Sequence, residues 1–380
     1  MSHIKIDLPF PLKSKIIALG PQSKSSFCIV DKDVAYLSEA NGDLNDLENF
    51  KLFERRLRRL KKKLRIKPEL IACDLHPEYI STKFANDLVK LDKGLRVKKV
   101  QHHEAHVASC IVDNNIKGDV IGVAFDGTGF GLDENIWGGE FFIGAVKRGF
   151  ERVAHLQYIP MPGGDAAVRE PWRMGLSYLY SVYDAGFRDL KIDFLTGLDK
   201  KVAEILIQVI NKKINSPLTS SIGRLFDAVS SILGICEEAQ YEGQAAVELE
   251  KAIRVVHSSR FTVDSYKFGI DIKRTPFVIV PDKVVKGIVE DLKNRVPKGV
   301  ISLKFHNAVC RMIKDVCVLL KERYKISRVC LSGGVFQNRY LTNHTKPLLE
   351  KEGFGVYFHK NFPTHDGSIA LGQAVIADSV

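Results

Sequence analysis

Apolar segments that read as strands alternate with segments of helical periodicity along these 380 residues, and this alternation most constrains the fold. The strand segments include "SKIIALG" (14–20), "LIACD" (70–74) and "DVIGVAFDGTGFG" (119–131). Strands that alternate with helices form α/β layers, in which helices cover a sheet. Two of the strands end in glycine turns, near 126 and near 333, so we expect two related halves that face a cleft.

The composition excludes several classes of protein. No window approaches the roughly 18 apolar residues of a membrane span, and the N-terminus, "MSHIKIDLPF", has no signal-peptide core. The seven cysteines are scattered and never spaced as CxxC, which argues against a disulfide framework and a zinc knuckle. Reduced thiols are typical of the cytosol, so we expect a cytoplasmic protein that does not contact a membrane.

The net charge of +11 is concentrated in "ERRLRRLKKKLRIK" (54–67). Leu57, Leu60 and Leu64 recur there at helical spacing, which predicts an amphipathic helix with a basic outer face. That face is either simply solvated or a docking surface for an acidic partner or RNA. No aromatic residues are interleaved with the charges, so the base-stacking part of a single-strand RNA site is missing.

Two histidines lie four residues apart in "QHHEAHVASC" (101–110). On a helix this spacing places the imidazoles of His102 and His106 on one face, one turn apart. That is the spacing needed to hold one metal ion. Two surface histidines on an exposed helix would show the same pattern, so the pair alone leaves both interpretations open.

Two carboxylates lie at positions where they could join such a site. Asp126 ends an apolar strand and is followed by Gly127, Thr128 and Gly129, a flexible turn that can bring an anion or metal close to backbone amides. Asp366 precedes a helical pattern in "PTHDGSIALGQA", where it is either a helix N-cap or a group that bridges to a metal near a bound phosphate.

The segment "LSGGVFQN" (331–338) reads as a strand, a glycine turn and a helix. Gly333 and Gly334 would let the backbone approach a nucleotide, and Asn338 could hydrogen-bond a base or sugar. The lysine of a GxxxxGK[ST] phosphate loop is absent, and other α/β proteins contain similar turns.

Three further segments are less specific. Asp227 lies in one helical segment, "GRLFDAVSSILG", and Gln244 and Glu248 lie in another, "YEGQAAVELE". If these residues have no functional role, the two segments are an ordinary pair of amphipathic helices. The loop "PMPGGDAAVREPWRM" (160–174) gathers charged residues around Trp172, a density more typical of functional loops than of structural ones.

Five motifs together resemble the C-terminal carbamoyltransferase domain of the HypF family: "VQHHEAHVASC", "VIGVAFDGTGFG…IWGGEFF", "PGGDAAVREPWRM", "YEGQAAVELE" and "LSGGVFQNRYL". The resemblance runs from about Lys13 to Ala377. HypF proteins start the synthesis of the cyanide ligands of [NiFe]-hydrogenases. They carry acylphosphatase, zinc-finger and YrdC-like segments ahead of this domain. Because this sequence shows none of them, we expect a stand-alone transferase unit.

The resemblance implies a fold and a division into lobes. The fold is α/β, the duplicated actin-like (ASKHA) fold with two lobes around a nucleotide and metal cleft. We expect an N-terminal lobe at 13–150 and a C-terminal lobe at 151–365, with a helical insertion near 187–220. The helix at 366–378 should pack back on the N-terminal lobe.

The resemblance also implies the residues of the site. In this superfamily the histidine pair and a late aspartate bind iron or zinc, which carries over to His102, His106 and Asp366, with Asp126 as the fourth ligand. The nucleotide is carbamoyladenylate, ATP or AMP. The positions expected beside it are Gly127, Thr128, Gly129, Asp227, Gln244, Glu248, Gly333, Gly334 and Asn338.

The implied activity is carbamoyl transfer from carbamoyladenylate to the C-terminal cysteine of HypE, with release of AMP. A separate YrdC-like and acylphosphatase protein would make the adenylate. The alternatives are a tRNA threonylcarbamoyltransferase, favoured by the charge and shared fold, and a non-catalytic actin-like scaffold. "WGGEFF" and "GGDAAVREPWRM" resemble the HypF branch, so tRNA is not expected as a partner. An intact four-ligand metal site would argue against a scaffold.

Overall fold

The computed structural model describes residues 3–253 and 265–378. Within them the chain forms two mixed β-sheets. The strands of the first sheet are β1 (His3–Asp7), β2 (Ile16–Ala18), β3 (Cys28–Asp31), β4 (Val34–Ser38), β5 (Leu70–Asp74) and β6 (Arg96–Val100). The strands of the second sheet are β7 (Val120–Phe130), β8 (Ile136–Ala145), β9 (Gly149–Leu156), β10 (Ile159–Pro160), β11 (Leu218–Thr219), β12 (Gly269–Asp271), β13 (Phe277–Val280), β14 (Arg328–Ser332) and β15 (Gly355–Tyr357).

The two sheets repeat one topology. The first runs β1-β4-β3-β2-β5-β6, and the second runs β12-β13-β9-β8-β7-β14-β15, with the short strands β10 and β11 attached at β8. In each sheet an antiparallel meander is followed by two parallel strands: β2 to β4 then β5 and β6, and β7 to β9 then β14 and β15. The repeat agrees with the two halves expected from the glycine turns.

Helices connect and cover the strands. Their bounds are α1 (Leu47–Leu64), α2 (Ile80–Leu91), α3 (His102–Asp113), α4 (Ala166–Arg169), α5 (Trp172–Tyr183), α6 (Asp193–Gly197), α7 (Lys200–Asn211), α8 (Ile222–Ile232), α9 (Gln244–Ile253), α10 (Asp282–Lys293), α11 (Lys298–Tyr324), α12 (Arg339–Lys351) and α13 (Ile369–Ala377). In the described part of the chain, none of these helices is long and apolar enough to span a membrane.

The helices α3 and α13 lie between the two sheets and pack against each other. α3 contacts β7 and β14 of the second sheet, and α13 contacts β2 and β5 of the first. α1 and α2 cover the outer face of the first sheet, while α8 packs on β7 with α5, α9 and α11 around it. α3 and α13 therefore form one buried layer that joins the two halves. Burial of apolar surface on both sides stabilises that layer.

The basic helix is longer than its sequence pattern predicts. It begins at Leu47, after Asp46 accepts hydrogen bonds from two backbone amides of the first turn, and not near residue 54. Leu57 and Leu60 are buried as predicted, and Leu64 is half-buried. Most of the arginines and lysines between them are exposed, so the basic outer face is present.

α13 contacts strands of the first sheet. The assignment of this helix to the N-terminal lobe stays a prediction. The insertion near 187–220 contains α6 and α7, as its helical pattern indicates. The lobe limits 13–150 and 151–365 stay predictions. Strand pairing supports an earlier division, between β6 and β7, because β7, β8 and β9 pair with strands of the second half.

Candidate metal and nucleotide site

The histidine pair begins α3. Gln101 caps this helix, because its side-chain oxygen accepts hydrogen bonds from the backbone N–H of His103 (2.7 Å) and Glu104 (3.0 Å). The cap fixes the orientation of the first turn. The rings of His102 and His106 have centroids 5.1 Å apart, and both residues are buried. Burial excludes the interpretation as two surface histidines on an exposed helix.

Asp126 lies in β7 where the pairing with β8 shifts register. Its Oδ1 accepts hydrogen bonds from the backbone N–H of Gly127 (2.8 Å) and Gly334 (3.2 Å). Its Oδ2 is directed at the imidazoles, 3.3 Å from His102 Nε2 and 3.1 Å from His106 Nε2. β7 continues to Phe130, so Gly127 lies at an irregularity within the strand and not in the turn that the sequence predicted. Its amide and that of Gly334 hold one oxygen and leave the other facing the histidines.

Asp366 completes the cluster from the far end of the chain. It opens the short 3₁₀ turn that leads into α13. Its Oδ1 lies 3.8 Å from His102 Nε2 and 3.6 Å from His106 Nε2. The side chain that caps the turn belongs to His365, so Asp366 is not used as the N-cap.

The four side chains fit a transition-metal ion. Their donor atoms all lie within 4.8 Å of one another, and the histidine–carboxylate distances run from 3.1 to 3.8 Å. Four donors arranged tetrahedrally at bonds of about 2.1 Å would stand about 3.4 Å apart. Two imidazoles and two carboxylates suit zinc and iron(II) alike. His106 Nδ1 is buried without a hydrogen-bond partner in the described residues, which leaves Nε2 as its atom facing the cluster.

A third carboxylate, that of Asp74, orients the ring of His102. Asp74, at the end of β5, is buried, and its Oδ2 lies 2.8 Å from His102 Nδ1. A carboxylate on the outer nitrogen of a ligating histidine fixes the ring and directs the other nitrogen toward the metal. Although burial opposes protonation, Asp74 and Asp126 raise the pKa of His102 well above its usual value. Burial acts to raise the pKa of Asp126, but hydrogen bonds from the two imidazoles hold it well below its usual value.

A cavity of about 270 Å³ opens directly beside the cluster. It lies between the turn that connects β2 to β3, the helices α8 and α9, and the turn after β14. Asp126 lines it, together with four of the residues expected beside a nucleotide: Gly127, Asp227, Gly334 and Asn338. The candidate metal ligands and the cavity thus share one wall.

Five of the expected nucleotide positions lie outside the lining of this cavity. Thr128 is exposed, and Gly129 packs against histidine rings of α3. Gln244 accepts a hydrogen bond from a nearby backbone amide, and Glu248 pairs with a lysine. Gly333 lies within the turn after β14 but not at the cavity surface. Their contacts with a nucleotide stay predictions.

The neighbouring strand β7 requires glycines in the turn after β14. Gly333 has φ of +104°, and a Cβ there would lie 2.1 Å from the carbonyl oxygen of Phe125. A Cβ on Gly334 would lie 2.8 Å from Asp126 Oδ1. Side chains at these positions would push β7 away, so the glycines let the turn approach the strand that carries Asp126.

Sequence reasoning missed several charged residues of the site. Lys24, in the turn between β2 and β3, pairs across the cleft with Glu242 (3.1 Å), and both line the cavity. Arg224 lies one turn before Asp227 on α8, with Nη2 2.9 Å from Asp227 Oδ2. Asp74 ends the apolar strand β5, the kind of position that the sequence pattern had indicated for Asp126. The strand-end position and the i, i+3 spacing were therefore readable signals for Asp74 and Arg224.

The charged loop at 160–174 lies outside the cavity lining. Arg173 Nε donates to Glu170 (2.7 Å), and its guanidinium lies 4.9 Å from the centre of the Trp172 ring. Asp165 is exposed. Part of the charge density that marked this loop is therefore used in contacts within the loop itself.

Two family models match the chain. Residues 11–113 match the HypF Kae1-like domain, and residues 122–373 match the second subdomain of the Kae1-like carbamoyltransferase domain. The second match covers most of the second sheet and its helices. Together they include all four residues of the metal cluster.

The chain is similar to curated proteins over nearly its whole length. It is 32% identical to carbamoyltransferase HypF of Synechocystis, over 97% of this chain and 48% of that protein. It is 33% identical to a probable carbamoyltransferase HypF of Methanocaldococcus jannaschii, over 95% of this chain and 46% of that protein. The chain thus spans about half the length of these relatives.

A solved structure has the same fold. The crystal structure of full-length HypF in the phosphate- and nucleotide-bound form superposes with a TM-score of 0.89 at 38% identity, covering 98% of this chain and 56% of that one. With the repeated sheet topology, this confirms the predicted α/β class and its duplicated actin-like arrangement around a cleft. The chain belongs to the HypF family, as its Kae1-like carbamoyltransferase domain.

Proposed function

We propose that this chain is the carbamoyl-transferring unit of [NiFe]-hydrogenase maturation. It moves the carbamoyl group of carbamoyladenylate to the C-terminal cysteine of HypE and releases AMP. The observation that carries the proposal is the position of Asp126, which faces both histidines and also lines the cavity. A metal on one side of this carboxylate and an adenylate on the other would be direct neighbours.

His102, His106, Asp126 and Asp366 would hold one zinc or iron(II) ion. When bound, the ion would act as a Lewis acid that polarises an oxygen of the adenylate. Asp74 keeps the ring of His102 in the orientation that this requires. Asp227 and Asn338, in the cavity wall, would contact the nucleoside part of the adenylate.

The transfer itself needs a nucleophile from the partner. The HypE cysteine reacts as its thiolate after losing its proton to solvent. Its sulfur forms a bond to the carbamoyl carbon, the bond from that carbon to the phosphate oxygen breaks, and AMP leaves with the electron pair. The seven cysteines of this chain are buried and unpaired, and burial raises the pKa of Cys28 to about 12. Such thiols do not compete with the partner cysteine.

We also propose that a YrdC-like and acylphosphatase module supplies the carbamoyladenylate. The reaction would take place in the cytoplasm, where the buried thiols stay reduced. A tRNA acceptor is disfavoured, because the motifs "WGGEFF" and "GGDAAVREPWRM" resemble the HypF branch.

The test incubates the chain with HypE, ATP, carbamoyl phosphate and a YrdC-like carbamoyladenylate synthetase. A parallel reaction contains tRNA, ATP, threonine, bicarbonate and a YrdC-like threonylcarbamoyladenylate synthetase. Intact-mass spectrometry should show HypE heavier by one carbamoyl group, and HypE without its C-terminal cysteine should stay unmodified. The double variant His102→Ala/His106→Ala should give no product. Modified tRNA with unmodified HypE would support the threonylcarbamoyltransferase alternative. Nucleotide binding without either product would support the scaffold.

A further inference from the structure

Arg224 is a buried cation with unused hydrogen-bond donors in the wall of the cavity. It lies in the first turn of α8, and its side chain is 4% exposed. Nη2 approaches Asp227 Oδ2 at 2.9 Å, while Nε and Nη1 have no hydrogen-bond partner in the described residues. A buried guanidinium with unpaired donors is strongly destabilising, so this arrangement calls for a further acceptor.

Asp227 does not complete the arrangement by itself. Burial raises the pKa of Asp227 to about 6, even though the neighbouring arginine acts in the opposite direction. The ion pair with Asp227 leaves Arg224 Nε and Nη1 without an acceptor. An anion held near Arg224 would supply that missing acceptor.

The position of the guanidinium narrows the nature of that anion. Arg224 Nη2 lies 3.6 Å from the point that a Cβ on Gly127 would occupy, so it sits beside the residue that follows Asp126. The N-cap of α8, Ser221, donates its hydroxyl to the carbonyl oxygen of Asp126 (2.7 Å). The arginine thus lies at the end of the cavity nearest the metal cluster, and the start of a helix there also favours negative charge.

We propose that Arg224 binds the phosphate of the adenylate and gives the site its preference for nucleotides over nucleosides. The inference rests on the proposed function, since it takes an adenylate as the occupant of the cavity. A guanidinium donates two parallel hydrogen bonds to phosphate oxygens. Lys24 also lines the cavity, but its Nζ is paired with Glu242 at 3.1 Å.

The test measures binding of AMP, adenosine and inorganic phosphate by isothermal titration calorimetry to the wild-type chain, Arg224→Met and Arg224→Lys. Loss of charge-assisted hydrogen bonds should weaken AMP binding by Arg224→Met about 10- to 100-fold. Adenosine affinity should stay within about twofold, because adenosine carries no phosphate. Arg188→Met, which removes an exposed arginine paired with Glu204, should bind all three ligands as the wild type does.

Arg224→Lys keeps the charge beside Asp227 and covers the case in which the methionine variant does not fold. It should lose part of the AMP affinity, since a lysine cannot donate in the same planar arrangement. Equal losses of AMP and adenosine affinity, or unchanged AMP affinity, would overturn the proposal. Inorganic phosphate that binds the wild type as tightly as AMP does would also overturn it, by showing a free-anion site. The AMP preference can be lost whether or not HypE is carbamoylated, so this inference and the proposed function fail separately.

Discussion

A single carboxylate has two separate tasks in this site. Asp126 Oδ1 is held by two backbone amides, one within β7 and one in the turn after the neighbouring parallel strand β14, while Oδ2 faces the imidazoles. Backbone amides cannot rotate away as side chains do, so the direction of Oδ2 is fixed by the fold. Preorganisation of this kind suits a ligand that must keep its geometry through repeated turnovers.

The histidine pair should account for most of the affinity for metal. We expect the purified wild-type chain to carry about one transition-metal ion per chain and His102→Ala/His106→Ala to carry almost none, because two of four donors are lost. Elemental analysis by mass spectrometry measures this. His344→Ala, which changes an exposed histidine on α12, is the control. Equal metal content in His102→Ala/His106→Ala and His344→Ala would show that the four-residue cluster is not the binding site.

His306 gives the fold a pH dependence that is independent of the metal. It is fully buried on α11, with Nδ1 2.8 Å from the carbonyl oxygen of Ser302 and Nε2 3.0 Å from Asn338 Nδ2. Burial lowers its pKa to about 4. The folded pKa is below the unfolded value of about 6.5, so the neutral ring contributes stability above that pH. This contribution is lost as pH falls from 6.5 toward 4.

The expected loss can be measured by urea unfolding at pH 7 and pH 5. Over this range the wild type should lose about 2 kcal/mol more unfolding free energy than His306→Gln, which has no group that titrates there. Comparing each protein with itself at the two pH values cancels the cost of the substitution. If both proteins lose the same amount, His306 does not titrate with a depressed pKa in the folded state.

At the scale of elements, one aspartate ties the helix that carries the histidines to the segment before Asp366. Asp113, at the end of α3, accepts hydrogen bonds from the backbone N–H of Lys360 (2.6 Å) and Asn361 (3.0 Å) and from Asn361 Nδ2 (2.8 Å). Although partial burial opposes ionisation, the nearby imidazole of His359 and the hydrogen bonds from these amides hold the pKa of Asp113 well below its usual value.

Weakening this connection should affect both stability and metal binding. Asp113→Asn keeps the shape but replaces one acceptor oxygen by a donor, so we expect unfolding free energy to fall by about 1–3 kcal/mol. Metal affinity should fall as well, because Asp366 is then held less firmly. Urea unfolding and a competition titration with a chelator measure the two effects. Asp87→Asn, an exposed aspartate paired with Lys90, should change neither. Metal affinity unchanged in Asp113→Asn would limit its role to stability.

The basic face of α1 is the second element with a testable role. Arg56 donates to Asn41 (2.8 Å) and is half-buried, so the exposed residues Arg55, Arg59 and Lys62 are the better choice for charge reversal. If the face attracts an acidic partner, the triple glutamate variant should associate with HypE about tenfold more slowly at low salt, and the difference should shrink as salt rises.

Stopped-flow fluorescence or biolayer interferometry measures the rate of association of this variant with HypE. The corresponding triple glutamine variant should be intermediate, since it removes charge without reversing it. Metal content and AMP binding should match the wild type in both. If the triple glutamate variant carbamoylates HypE at the wild-type rate in low salt, the basic face is only solvated surface.

At the scale of the molecule, the candidate metal site draws on three separate structural elements. The histidines come from α3 between the sheets, Asp126 from the second sheet, and Asp366 from the turn before α13. An ion held by all of them links the two halves. Ligands that bind only the folded state stabilise it in proportion to the logarithm of their concentration.

Removal of the ion should therefore lower the stability of the whole chain. At free zinc about 100 times its dissociation constant, we expect about 2.7 kcal/mol of added unfolding free energy, which a chelator should abolish. Calorimetry with and without chelator measures the shift in Tm. The variant His102→Ala/His106→Ala should show no shift. A wild-type Tm that does not respond to zinc or chelator would contradict a metal held between the halves.

The sequence predicted those parts of the site that depend on local spacing. An i, i+4 interval on a helix fixes the relation of His102 to His106, and a strand that ends in a carboxylate indicated Asp126. The residues that line the cavity depend on how α9 is rotated and packed, which local spacing does not determine. Glu250 therefore faces the cavity, while Gln244 and Glu248 on the same helix do not. The role of Gly333 depends on its approach to β7, a contact between segments distant in sequence.

The position of Asp366 has a consequence for biosynthesis. It follows the last strand of the second sheet, so the ribosome completes both sheets before this ligand emerges. N-terminal segments of a nascent chain fold first, which means that the histidines and Asp126 can assemble while α13 is still being made. A chain cut short before this residue would lack both a carboxylate of the cluster and the helix that packs between the sheets. Metal loading at this site would thus discriminate finished polypeptides from truncated ones.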